Sequence, residues 1–243
     1  KALKDLESKW EAKDVEIPTF EVSNDRDKSS LYFVDIPNAK QSVINIGYLG
    51  LKRTDSDYFP ATVMNYKLGG SFSGNVNLIL REEKGYTYGA RTGFSGTKLP
   101  GTFTASSSVR TNTTFESVKI FKDEIEKYQN GISQEDLDFT KNALIKSNAR
   151  RFETQFSLLG MLQNISNYGF SKDYIADEEN IVRNMTLEEH KALANKYLDE
   201  TKMGYLVVGD AATQFDKFKN AGFDEVLLLD KDAKRVDVGN VKM

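Results

Sequence analysis

A change in hydrophobic periodicity at Gly85 constrains the fold of this chain more than any other feature. Before the glycine, Val76 and Leu80 recur at the spacing of one helix face. After it the pattern alternates with a period of two, which assigns one strand face to Tyr86, Tyr88, Ala90, Thr92 and Phe94. A helix is therefore predicted to end, and a strand to begin, at this glycine.

Two strand-like segments open the predicted domain. Residues 31–36 and 41–50 are rich in β-branched and aromatic side chains, and the turn formers Pro37 and Asn38 lie between them. The pattern predicts an opening hairpin or strand pair.

Helical patterns dominate the second half of the chain. Thr113 with Glu116, and Thr186 with Glu189, have the spacing of capping boxes at helix starts. A buried-type strand returns at 203–208. Strands, then a block of helices, then a late strand predict an α+β fold in which helices cover one face of a mixed sheet.

The N-terminal segment differs in composition from the rest. Residues 1–28 carry 14 charged side chains of both signs, with Leu3, Leu6 and Trp10 spaced for a helical turn. We predict a charged linker over 1–28 and a folded domain over 29–243. The chain starts without Met, which predicts a processed N-terminus.

Charge and residue counts exclude several classes of function. The 33 Lys and Arg against 36 Asp and Glu give a formal net charge of −3, which creates no field for nucleic acid or anionic membranes. Without cysteine there is no disulfide, thiolate nucleophile or cysteine zinc site. No apolar run reaches the roughly 18 residues of a membrane span, so a soluble protein is expected.

The single histidine, His190, limits metal and proton-relay chemistry. Its neighbours Leu193 and Ala194 place it on or beside the apolar face of a helix, which predicts a packed histidine. One histidine without cysteine cannot complete a zinc shell, so no metal site is predicted in this chain.

The glycine-rich run from Gly69 to Gly74 has some features of a phosphate-binding loop. Such loops need Lys followed by Ser or Thr after the last glycine, whereas Asn75 and Val76 follow here, and a helix rather than a strand precedes the run. We predict a flexible turn between helices and no nucleotide site.

Arg81 and Tyr88 flank the junction at Gly85, where two rigid elements meet. An arginine fork and a phenol are donors suited to a peptide carbonyl or a developing oxyanion. The alternative from the residues alone is that Arg81 offsets the helix dipole and Tyr88 fills the core.

Two runs carry a family resemblance. They are Lys-Leu-Gly-Gly-Ser-Phe-Ser-Gly at 67–74 and Leu-Arg-Glu-Glu-Lys-Gly-Tyr-Thr-Tyr-Gly at 80–89, and the strand end Val-Val-Gly-Asp at 207–210 accompanies them. Together they resemble the second, non-zinc half of the M16 zinc metallopeptidases, which include pitrilysin, insulinase and mitochondrial processing peptidase-like proteins. The element order extends this likeness from about residue 30 to residue 230.

The resemblance implies a fold, a partner and site residues. Two halves of M16 or LuxS-like fold would close around a peptide, with zinc held by His-x-x-Glu-His in the partner half and no cofactor in this chain. Arg81 and Tyr88 would be catalytic and contact the substrate, with Tyr86 as a further substrate contact. Residues 1–28 would end the connector between halves.

Two other functions remain open for a chain of this kind. One is a scaffold or assembly subunit that keeps the fold without catalysis. The other is a module that captures peptide strands at a sheet edge without cleaving them. The lack of cysteine and the start without Met favour the periplasm or cell envelope over the cytoplasm.

The isolated chain is predicted to bind no stoichiometric zinc and to cleave no peptide, because its single histidine cannot build a zinc centre. Elemental analysis of the purified protein checks the first point and a peptidase assay the second. One tightly held zinc per chain would contradict the prediction, as would metal-dependent turnover that disappears in His190→Ala.

Overall fold

The computed structural model describes residues 3–11, 13–16, 18, 22 and 26–236. The remaining parts of the predicted linker and residues 237–243 of the predicted domain lie outside the described residues. Six strands form one sheet: β1 Ser30–Asp35, β2 Gln41–Leu49, β3 Thr87–Phe94, β4 Thr102–Arg110, β5 Gly204–Gly209 and β6 Glu225–Leu229.

Helices occupy most of the remaining described chain. They are α1 Lys4–Lys9, α2 Tyr58–Asn65, α3 Asn75–Asn77, α4 Thr114–Tyr128, α5 Gln134–Asn148, α6 Gln155–Tyr168, α7 Tyr174–Asn184, α8 Leu187–Tyr197 and α9 Ala211–Gln214. Two π-helical turns, Tyr66–Gly70 and Leu78–Glu83, continue α2 and α3. Among the described helices, none is both long and apolar enough to cross a membrane.

The strands lie in the order β3-β4-β2-β5-β1-β6. Strand β1 is parallel to β5 and β6, and the other pairs are antiparallel, so the sheet is mixed. The predicted opening hairpin is wrong, because β5 lies between β1 and β2. The turn at Pro37 and Asn38 reverses the chain direction. The apolar strand β5 nevertheless lies between β1 and β2 in the sheet.

One sheet face packs against the helices. Alternate residues of the four central strands are buried there, and the core includes Leu31, Phe33, Ile44, Ile46, Phe103, Ala105, Tyr205 and Val207. Val118, Phe121 and Ile125 of α4 belong to the same core. The predicted α+β fold, with helices on one face of a mixed sheet, is confirmed.

His190 lies in the core, as the sequence predicted. Its Nε2 is 3.2 Å from the carbonyl oxygen of Met64, which also accepts a 2.9 Å hydrogen bond from the Tyr128 hydroxyl. The histidine therefore ties α8 to α2 and α4. Its Nδ1 has no hydrogen-bond partner in the described chain, and burial lowers the pKa of the imidazole to about 4 from its ordinary 6.5.

Acid should destabilise the protein through this histidine. The unfolded imidazole takes up a proton below its ordinary pKa of 6.5, whereas the folded one resists until about pH 4. Stability from this group is therefore present above pH 6.5 and falls as the pH drops to 4, by about 3 kcal/mol. Denaturant unfolding between pH 7 and 4 measures the slope.

The matched control is His190→Gln, which is expected to be less stable at pH 7 but to lose less stability on acidification. Equal pH slopes in the two proteins would show that the histidine does not carry the effect.

Candidate functional site

The helix-to-strand junction forms as predicted around Gly85. The π-helical turn Leu78–Glu83 ends just before it, and the amide of Tyr86 donates to the Leu80 carbonyl at 2.8 Å. Gly85 has φ of 62°, a left-handed conformation that favours glycine as a helix stop. The chain thus reverses sharply and enters β3 beside the turn that carries Arg81.

A β-bulge turns Tyr88 out of the regular strand. Thr87 pairs with Val109 and Ala90 with Ser107, so β3 carries one more residue than β4 between these pairs. Tyr88 is 93% exposed, while Ala90 is buried. The predicted single face for these residues is therefore wrong at Tyr88, and the alternative that Tyr88 fills the core is excluded.

The bulge is held by hydrogen bonds of Thr87. Its hydroxyl donates to the Ser108 carbonyl at 2.6 Å and accepts from the Gly89 amide at 3.1 Å. The Ser107 hydroxyl donates to the Gly89 carbonyl at 2.9 Å. Tyr88 thus extends into solvent from a backbone whose neighbouring polar groups are bonded.

Arg81 stacks on an exposed aromatic ring of the glycine-rich loop. Its guanidinium carbon lies 4.6 Å from the centroid of Phe72, which is 68% exposed. Nη1 is 3.4 Å from the Glu82 carboxylate but is not aligned for a hydrogen bond, and it has no other partner in the described chain. The guanidinium is therefore held between the Phe72 ring and the Glu82 carboxylate.

Tyr88 and Phe72 line one cleft, and Arg81 contacts the Phe72 ring but does not line the cleft itself. The cleft encloses about 370 Å³ and is lined by Phe72, Tyr88, Asn77 and Arg91, among others. The sequence analysis did not predict a role for Phe72. The exposed aromatic residue of the glycine-rich loop and the arginine that follows it in the next helical segment are a signal of cation–π stacking.

Tyr86, the third predicted substrate contact, is placed differently. Its ring is partly buried and packs against the main core, and its carbonyl accepts from the Arg110 amide at 3.2 Å. Tyr86 therefore anchors the start of β3, and its role as a substrate contact stays a prediction.

Two asparagines hold the outer edge of β3. Asn77 accepts from the Ala90 amide at 3.0 Å and donates to the Phe72 carbonyl at 2.7 Å. Asn65 donates to the Thr92 carbonyl at 3.0 Å and accepts from its hydroxyl at 2.6 Å. These bonds satisfy edge-strand groups that an open sheet would present to another chain.

The glycine-rich loop packs directly on β3. A Cβ at Gly69 would lie 2.7 Å from the Thr92 amide nitrogen, and one at Gly74 would lie 2.6 Å from the Gly69 Cα. The loop glycines are therefore required by close packing, which differs from the predicted flexible turn.

The described residues contain no group of three or more His, Asp or Glu side chains that could hold a metal ion. Together with a buried single histidine and the lack of cysteine, this donor set does not fit a zinc centre.

The chain belongs to the M16 peptidase family. Residues 1–144 match the family described as the peptidase M16 inactive domain. Comparison with curated proteins finds no match. The resemblance to the non-zinc half of M16 peptidases is thereby confirmed.

Solved structures share this fold. The peptidase M16 inactive domain from Pseudomonas fluorescens is 28% identical with a TM-score of 0.69, over 75% of this chain and 44% of that chain. A Helicobacter pylori protease is 17% identical with a TM-score of 0.76, over 85% and 50%. The periplasmic protease PqqL of Escherichia coli is 14% identical with a TM-score of 0.60, over 76% and 21%. This chain thus spans half or less of each structure.

Asn77→Ala should lower the stability of the protein without changing the exposed residues of the cleft. The substitution leaves the buried Ala90 amide without an acceptor, which typically costs about 1–3 kcal/mol of unfolding free energy. Denaturant unfolding measures this loss, and hydrogen exchange should show faster exchange at the Ala90 amide.

The control is Asn180→Ala, at an exposed position of α7. If both variants matched the wild type in stability and in Ala90 exchange, the structural role assigned to Asn77 would be wrong.

Proposed function

We propose that this chain is the catalytically incomplete half of a zinc peptidase. Its partner is a half that carries His-x-x-Glu-His, binds the zinc and activates water. Arg81 and Tyr88 are its catalytic residues, and peptide is the substrate class. The observation that carries the proposal is a phenol that a β-bulge holds in solvent, in a cleft lined by Phe72, the ring on which Arg81 stacks.

The two donors suit the charge that develops during peptide hydrolysis. Attack on a peptide carbonyl turns its oxygen into an oxyanion, and preorganised donors lower the energy of that state more than that of the bound substrate. The Arg81 guanidinium supplies a permanent charge, and the Tyr88 hydroxyl supplies a neutral donor. Neither residue can activate water, which is consistent with an incomplete half.

The exposure of Tyr88 also argues against a purely structural role. A ring that is 93% exposed contributes little to the core of this unit. A scaffold subunit would not need an unburied phenol in a cleft whose wall includes Phe72, the ring that stacks on Arg81. The peptidase proposal therefore explains an observation that the scaffold alternative leaves unexplained.

Capture of a peptide at a sheet edge is disfavoured by hydrogen bonding. On β3, the Ala90 amide and the Thr92 carbonyl already bond to asparagine side chains. On β6, the Leu228 carbonyl accepts from the Val236 amide at 2.9 Å. A strand added at either place would have to displace these bonds.

The partner and the compartment are part of the proposal. The solved relatives are about twice as long as the matched part of this chain, which leaves length for further units. Isolation of the assembly will show whether the zinc-binding half lies on the same polypeptide or on a separate one. We propose the periplasm or cell envelope as its location.

Affinity purification of the tagged chain from its host, together with its bound proteins, tests the proposal. Mass spectrometry should identify a protein containing His-x-x-Glu-His, and the assembly should cleave fluorogenic peptides until a chelator removes zinc. Recovery without such a protein, or an assembly without peptidase activity, would contradict the proposal.

Tyr88→Phe in this assembly should lower kcat by about 100- to 1000-fold with little change in KM, because one oxyanion donor is lost. Arg81→Lys should give an intermediate loss, because it keeps the charge but not the fork. Steady-state kinetics on the recovered assembly measures both.

The matched control is Tyr168→Phe, which removes a hydroxyl at the end of α6, outside the cleft. Melting temperatures of all three variants should stay near that of the wild type. A near-normal kcat in Tyr88→Phe would remove the catalytic role assigned to it.

A further inference from the structure

One backbone carbonyl of the core contacts polar side chains from two other helices. The Tyr128 hydroxyl of α4 donates to the Met64 carbonyl of α2 at 2.9 Å, and Nε2 of His190 in α8 is 3.2 Å from the same oxygen. All three residues are buried. Two side chains that are distant in sequence therefore converge on one buried oxygen.

This carbonyl lies where α2 passes into the π-helical turn Tyr66–Gly70. In an α-helix each carbonyl accepts from the amide four residues on, whereas in a π-helical turn the donor lies five residues on. The regular spacing of donors is lost at such a transition, and a side chain that inserts there can supply one. The Tyr128 hydroxyl is placed to do so at Met64.

The same hydroxyl also contacts the turn itself. Burial and the Asp136 carboxylate raise the pKa of Tyr128, and a hydrogen bond from the Leu68 backbone opposes this rise. Leu68 lies within the π-helical turn and is buried. Tyr128 therefore joins the end of α2 to the turn that follows it.

The π-helical turn leads directly to the residues of the cleft. Gly69, within the turn, packs against the Thr92 amide of β3 with no space for a Cβ. The loop then presents Phe72, and the Arg81 guanidinium carbon lies 4.6 Å from the centroid of that ring. The backbone path from the Met64 carbonyl to this stack is short and passes through the turn.

We propose that Tyr128 is a positioning residue for the cleft, because its hydroxyl fixes the π-helical turn at Met64 and thereby the Phe72 ring that holds Arg81. Tyr128 is buried and cannot contact a substrate, so it acts only through the glycine-rich loop. The catalytic part of this inference rests on the proposed peptidase function.

Tyr205 offers a matched control within the same core. Its hydroxyl is also buried and also donates to a backbone carbonyl, that of Glu200, at 3.1 Å. Glu200 belongs to the turn Glu200–Lys202 before β5, outside the segment that builds the cleft. Tyr128→Phe and Tyr205→Phe each remove one buried hydroxyl and keep the ring, so both should lower the melting temperature by similar amounts.

Hydrogen exchange of the purified chain tests the structural step. In Tyr128→Phe the amides of residues 66–74 should exchange about 5- to 10-fold faster than in the wild type, which corresponds to the loss of one hydrogen bond. Tyr205→Phe should leave these amides near the wild-type rate. Equal exchange of residues 66–74 in the two variants would overturn the proposal.

Steady-state kinetics on the zinc-containing assembly tests the catalytic step. Tyr128→Phe should lower kcat by about 10-fold with little change in KM, because a displaced guanidinium stabilises the transition state less well. Tyr205→Phe should keep a kcat near that of the wild type. When Arg81→Lys is already present, Tyr128→Phe should add little further loss, because both changes act on the same contact.

The outcomes separate this inference from the proposed function. A normal kcat in Tyr128→Phe, with Tyr88→Phe still impaired, would overturn the positioning role and leave the peptidase proposal intact. Fully additive losses in the variant that combines Tyr128→Phe with Arg81→Lys would also overturn it. If neither Tyr88→Phe nor Arg81→Lys changed kcat, the peptidase proposal would be wrong, whereas faster exchange at residues 66–74 would still support the structural step.

Discussion

The hydrogen bonds that Asn65 and Asn77 make to β3 hold the candidate site together. Asn65 projects from α2 and Asn77 from α3, and both bond to the backbone of β3. Asn77 also donates to the Phe72 carbonyl, so these bonds connect two helices and the glycine-rich loop to the same edge strand. Gly69 packs closely against Thr92 beside this attachment. Without it the loop carrying Phe72 would have no fixed position relative to Tyr88.

The sheet presents two different surfaces. Its β3 edge is polar, is bonded to side chains and carries the cleft, whereas the opposite strands expose aliphatic residues on their bare face. The two surfaces are separate, so a contact at one does not cover the other. Membership of the M16 family agrees with a unit that works as part of a larger assembly.

Local signals in the sequence predicted local structure well. The stop at Gly85 and the capping box at Thr186 formed as expected, since each depends on a few neighbouring residues. The capping box at Thr113 did not form, since the Thr113 hydroxyl accepts no amide of α4; it donates to the Arg110 carbonyl. The strand order and the bulge at Tyr88 could not be predicted from periodicity, because both depend on partners distant in sequence.

The bulge separates the chemistry at position 88 from the folding of the domain. The extra residue of the bulge restores the inward and outward alternation of the strand by Ala90. Core packing therefore does not depend on which side chain occupies position 88. Such a position is free to mutate at almost no thermodynamic penalty. Descendants of this fold could gain or lose a phenol there in a single step, and an assembly could evolve from enzyme to inert scaffold without passing through an unstable intermediate.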